Sequence, residues 1–155
     1  MIKYIIRGGK VKKMLRDPHK FGDVMAELKM GKEVSFLVNG WSMLPFFCHD
    51  KTLVTLKDEK VNVGDIVLYI DGKISMNRVI KILDNQYILQ GDGQFRHSSS
   101  VCDEAILGKV IAFNHKNKDY AINDSKLQKK MKAWLLVKKI PGSRHYIRFL
   151  RKRCS

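Results

Sequence analysis

One short segment of this chain has the residue types for covalent chemistry. In Asn39-Gly40-Trp41-Ser42-Met43-Leu44-Pro45-Phe46, a serine follows a turn dipeptide and precedes a proline-limited bend. Such a bend can present the hydroxyl outward and leave nearby backbone N–H groups, that of Ser42 among them, free to hold an oxyanion. Taken alone the segment is weak evidence, because serines beside turns commonly serve as turn formers or caps. The cysteines point elsewhere. Cys48, Cys102 and Cys154 are odd in number and widely spaced, with no CxxC or Cys/His ligand spacing. No metal site, no cofactor and no disulfide framework is expected, and the bland reading is three free thiols.

Three further motifs follow Ser42 in order: Gly64-Asp65-Ile66-Val67, then Arg78-Val79-Ile80, then Gly91-Asp92-Gly93. Together with Ser42-Met43-x-Pro45, across roughly residues 34–113, the series resembles the signal-peptidase/LexA-type serine peptidases. It looks most like their short members without a transmembrane anchor. The resemblance implies that Ser42 is the nucleophile, that Gly40 and Met43 beside it meet the substrate, and that Asp92 supports the base. It also implies a peptide or protein substrate, bound as an extended strand beside the site.

In that family the residue before the arginine is a lysine or histidine that removes the serine proton. Here it is Asn77. A serine hydroxyl is a poor nucleophile until a base takes its proton, and a carboxamide has no basic lone pair in the useful range. Three explanations stand side by side: a natural base replaced in this chain, a natural pseudoenzyme that still binds peptide, or another base such as Lys73, Lys81 or His97. Lys73 lies four residues away on an expected strand, about 13 Å by strand rise. His97 lies in the loop after Asp92, where an exposed loop histidine is the ordinary reading. With Asn at 77, Asp92 could accept a hydrogen bond from the amide or simply close a Gly-Asp-Gly turn. Arg78 is expected to pair with an acidic group inside the domain.

Several elements must position these residues. Spacings of three and four (Val11, Met14, Leu15, then Phe21, Val24, Met25, Leu28) predict a helical region over 10–31, which Asp17-Pro18 could divide and Gly31 stop. From Val34 the period becomes that of strands: 34–38, 52–56, 66–70, 73–83, 86–90, 105–115 and 119–122. Turn signals separate them, notably Asn39-Gly40, Asp71-Gly72 and Asp84-Asn85. Residues 91–100 are Gly/Ser-rich and polar and read as a loop. Asp124-Ser125 can cap a helix over 126–140 that stops at Pro141-Gly142, and a basic–apolar stretch, 144–153, follows. The expected fold is mainly β, a barrel-like domain over 34–124 with an N-terminal helical segment (1–33) and a basic helical tail (125–155).

The net charge of +15 is uneven. Residues 1–33 carry nine Lys/Arg and four Asp/Glu, residues 34–124 ten and eleven, residues 125–155 eleven and none. A near-neutral centre argues against a nucleic-acid reader, and so does an N-terminal region too short and too weakly patterned for a helix-turn-helix. The 126–153 tail has three readings: it lies on an anionic membrane surface, it packs on the domain with its basic face in water, or it binds nucleic acid. No run reaches the ~18 apolar residues of a spanning helix, and the interrupted N-terminus does not read as a secretory signal. The expected location is cytoplasmic, peripheral at the membrane if the tail binds there. The leading functional expectation is a serine endopeptidase that cleaves a peptide or leader segment, inactive or severely slowed by Asn77. The alternative is a peptide-binding pseudoenzyme recruited to a membrane surface.

Overall fold

The computed structural model describes residues 3–5 and 21–154. Much of the expected 10–31 helical region, Asp17-Pro18 included, lies outside them. Within them that region forms helix α1, Phe21–Lys29. Val24 and Leu28, one turn apart, enter the core, and Gly31 ends the helix at a φ of 75°.

Among the described residues, nine strands lie in a single antiparallel sheet: β1 (Lys3–Ile5), β2 (Val34–Leu37), β3 (Thr52–Lys57), β4 (Ile66–Asp71), β5 (Lys73–Leu83), β6 (Gln86–Gln90), β7 (Ser99–Cys102), β8 (Ile106–His115) and β9 (Lys118–Ala121). Their spatial order is β1-β2-β3-β8-β4-β5-β6-β7, with β9 added on β8. The sheet curls into a half-barrel, so the mainly-β architecture expected from the sequence is the architecture found. Register shifts in the β3/β8, β4/β8 and β5/β6 ladders help the sheet to bend. Two hairpin turns have both central residues at positive φ, Asp84-Asn85 and Lys116-Asn117, as two-residue turns matched to strand twist require.

One face of the sheet is covered by aliphatic and aromatic residues, alternating along β3 and β4. Phe36, Val54, Leu56, Ile66, Leu68 and Phe113 join Val24 and Leu28 of α1 in one cluster. Helix α2 (Ser125–Val137) starts where expected, with the Asp124 carboxylate accepting the Leu127 N–H at 2.8 Å. Its Leu127 and Met131 enter the same cluster. Helix α3 (Ser143–Cys154) turns back after Gly142, and its Ile147 meets Trp134, Leu44 and Cys48 in a second cluster. The basic segment is therefore packed on the domain along one face. Among the described residues, no helix is long and apolar enough to cross a membrane.

Two strands differ from expectation. The end of the 91–100 loop is β7, which pairs with β6 through Leu89↔Ser99 and Tyr87↔Val101. Its polar serines hide the strand period; the partner edge of β6 supplies the ladder that local sequence does not announce. Lys3–Ile5 likewise forms β1 by pairing with β2.

Candidate active site

Ser42 sits in the loop between β2 and β3. Gly40 enters that loop at a φ of 118°, and its N–H donates to His49 Nδ1 at 3.0 Å. Met43, Leu44 and Phe47 are buried pegs that anchor the loop to both apolar clusters. The half-buried Ser42 donates its hydroxyl to the backbone carbonyl of Met76 on β5, at 3.1 Å. A second loop clamps the first, because the Gly93 N–H donates to the Ser42 carbonyl at 2.7 Å. A Cβ on Gly91 would lie 2.4 Å from that same carbonyl oxygen, so the approach requires glycine there.

Asn77 follows Met76 and is 5% exposed. Its Nδ2 donates to the Tyr69 hydroxyl at 2.7 Å, which in turn lies 3.4 Å from Ser99 Oγ. Its Oδ1 is buried and, among the described residues, has no hydrogen-bond partner. Asp92 takes no part in this chain of contacts. Its two carboxylate oxygens accept from Arg78 Nε at 2.8 Å and Arg78 Nη2 at 2.6 Å, while Arg78 Nη1 donates to the Gly64 carbonyl at 2.8 Å. The pairing of Arg78 inside the domain matches the sequence expectation. The suggested bond from the Asn77 amide to Asp92 is replaced by Tyr69, because a bidentate guanidinium occupies both carboxylate oxygens.

A cleft of about 760 Å³ opens over these residues. Gly40, Ser42 and Met43 line it from the loop, and Tyr69 and Asn77 from the β4–β5 hairpin. Lys73 and His97 also border it, whereas Lys81 is not among its lining residues. Asp92 is buried behind it, at 1% exposure. The sequence motifs thus divide into two sets: Ser42 and Asn77 share the cleft wall, and Arg78 and Asp92 brace the scaffold behind it.

Tyr69, Ile147 and Arg151 are among the lining residues that sequence reasoning missed. Tyr69 was readable in principle: a hairpin at Asp71-Gly72 pairs Val67 with Asn77 and Tyr69 with Ser75, which sets Tyr69 diagonal to Asn77 on one face. Ile147 and Arg151 of α3 form part of the wall, with the Arg151 guanidinium 5.5 Å from the Trp41 ring centre. No local signal announces them.

Helix α2 secures the second loop. Trp134 Nε1 donates to the Asp92 carbonyl at 2.9 Å, and Lys138 Nζ donates to Gln90 Oε1 at 3.0 Å and to the Gly91 carbonyl at 2.8 Å. Burial holds the Lys138 ammonium below its ordinary pKa; the Asp92 charge offsets part of this and Arg78 adds to it. Helix α3 reaches the first loop through Cys154, which packs against the cluster that holds Cys48. The Cys48 thiol is pushed up to about 12, first by burial and then by Cys154.

Chemically, the arrangement presents an alcohol whose proton rests on an amide carbonyl, which cannot remove it. Neither Asn77 nor the Arg78-bound Asp92 is placed to act as base. Among the described residues no set of three or more His, Cys, Asp or Glu side chains is grouped to hold a metal. No protein-family model matches this chain, and no curated protein matches it.

Proposed function

We propose that this chain is a serine-endopeptidase-type domain of the signal-peptidase/LexA class, with Ser42 as nucleophile and hydrolysis of its peptide or leader substrate stalled by Asn77. The observation that supports this most is the bond from Ser42 Oγ to the carbonyl of Met76, the neighbour of Asn77, at the edge of a cleft that both Ser42 and Asn77 line. A basic side chain at position 77 would border the cleft that the hydroxyl borders. The test is Asn77→His and Asn77→Lys, each treated with a fluorophosphonate probe and with a fluorogenic peptide library. Labelling confined to Ser42 and cleavage lost in Asn77→His/Ser42→Ala is the expected result. Variants that fold but neither label nor cleave would count against the enzyme reading.

A second reading, a peptide-binding pseudoenzyme, rests on the Asn77 amide itself. Its nitrogen is committed to Tyr69, and its carbonyl oxygen is an unsatisfied acceptor, which a buried site ordinarily does not leave unpaired. A donor from a bound peptide backbone would satisfy it. This reading predicts peptide affinity that survives loss of the Ser42 hydroxyl.

A further inference from the structure

A second cavity of about 850 Å³ lies away from the Ser42 cleft, between the α2–α3 turn and the sheet. Its walls combine Val63 and Ile80 from the sheet side with Leu135 and Ile140 from the helical side, and Lys139 and Arg144 stand at the turn. None of its described lining residues is acidic. Lys138 and Arg78 also border it, but their hydrogen bonds go to Gln90, Gly91, Gly64 and Asp92. The cations exposed to solvent here are therefore Lys139 and Arg144.

Helix α2 carries two apolar stripes. The inward stripe, Leu127, Met131 and Trp134, is buried. The other, Ala133, Leu136 and Val137, is continued past the helix end by Ile140, and among the described residues nothing covers it. Leu136 is 67% exposed and Ile140 58%, and across the groove Val63 is 60% exposed. Aliphatic side chains left in water along the turn that carries exposed Lys139 and Arg144 mark an interaction site.

We infer that this groove and the outward stripe of α2 form the seat by which the chain lies on an anionic phospholipid bilayer. Charge complementarity selects the occupant: residues 125–155 carry eleven basic residues and no acidic one. Exposed aliphatics suit acyl chains, and they suit nucleic acid poorly, since phosphate tracking rewards polar and stacking side chains. The docking is interfacial, with the apolar stripe at the acyl boundary and Lys139 and Arg144 at headgroup level. Because Val63 and Ile80 come from the β domain, that domain itself would be held against the surface, at a fixed angle.

The test is flotation of the whole chain with vesicles of phosphatidylcholine alone or mixed with phosphatidylglycerol. Binding is expected only with the anionic lipid, and it should weaken as salt is raised. Lys139→Gln with Arg144→Gln should lower the affinity about thirtyfold, at roughly a fivefold loss per charge near the surface. Val63→Asp and Ile140→Asp should each lower it about tenfold through lost apolar contact. All four positions are exposed, and circular dichroism verifies that each variant is folded. Equal binding to neutral vesicles, displacement of the vesicles by single-stranded RNA at comparable concentration, or parent-like binding by Val63→Asp would each overturn the assignment. The last would leave a basic tail that binds without the groove.

Discussion

Arg78 and Asp92 meet through two hydrogen bonds, of 2.8 and 2.6 Å, with 4% and 1% of their side chains exposed. The pair joins β5 to the loop that clamps Ser42, while the Asp92 carbonyl receives the Trp134 indole. A carboxylate so occupied is a brace for the site. Asp92→Asn should therefore destabilise the fold by about 3–5 kcal/mol, because it leaves a buried guanidinium without its counter-charge. Arg78→Met combined with Asp92→Leu should recover much of that loss. Urea denaturation of the parent and the two variants checks this; a near-neutral Asp92→Asn would contradict the brace.

The close approach of two loops gives a second expectation. Gly91→Ala places a methyl 2.4 Å from the Ser42 carbonyl oxygen, and backbone atoms must shift to relieve it. Gly22, where an added Cβ meets nothing within 4 Å, is the control. The Gly91 variant should lose stability and, on the Asn77→His background, lose probe labelling at Ser42. The Gly22→Ala control should retain both. Thermal melts and labelling yields measure the two effects separately.

Removal of the Ser42 hydroxyl should separate binding from chemistry. Ser42→Ala deletes one hydrogen bond to a backbone carbonyl, worth about 1 kcal/mol, and leaves the cleft wall otherwise intact. Affinity for any peptide that binds the parent should change less than about fivefold. Tyr69→Phe removes the partner of the Asn77 amide and should weaken binding more. Isothermal calorimetry with a peptide selected on the parent protein gives both numbers.

Cys48 provides a pH-dependent readout of how the C-terminal helix docks. Its folded pKa, about 12, lies above the ordinary thiol value of 9.0. The stability it contributes is thus fully present below pH 9.0 and is lost as pH rises through about 12. Across that window the parent should lose stability more steeply with rising pH than Cys48→Ala does. Below it, the thiol reagent should find exposed Cys102 first and buried Cys48 only on unfolding. Denaturation series at several alkaline pH values, with mass spectrometry of the labelled thiols, test both statements.

Local spacing was enough for much of the fold. The switch from three-and-four spacing to alternation at Val34, the dipeptides at 71–72 and 84–85, and the Asp124 cap each depend on neighbours a few residues apart, so they are readable without coordinates. β7 was not, because its serines lack an apolar period and its place depends on the free edge of β6. The tail was ambiguous for a related reason: a basic amphipathic helix looks alike whether its apolar face meets a membrane or the Leu44–Cys48 cluster. In this chain one stripe of α2 meets the core and a second stays outside.

The site divides in the same way. Residue types alone fixed that position 77 carries an amide with no basic group to offer Ser42, since that is a property of the side chain wherever it sits. Which groups those side chains touch was decided by long-range packing. The β4–β5 register gave the Asn77 amide to Tyr69, the burial of the Gly91–Gly93 loop gave Asp92 to Arg78, and the return of α3 set Arg151 over Trp41. Contacts between residues distant in sequence depend on how the whole chain fills its core, and no local pattern encodes them.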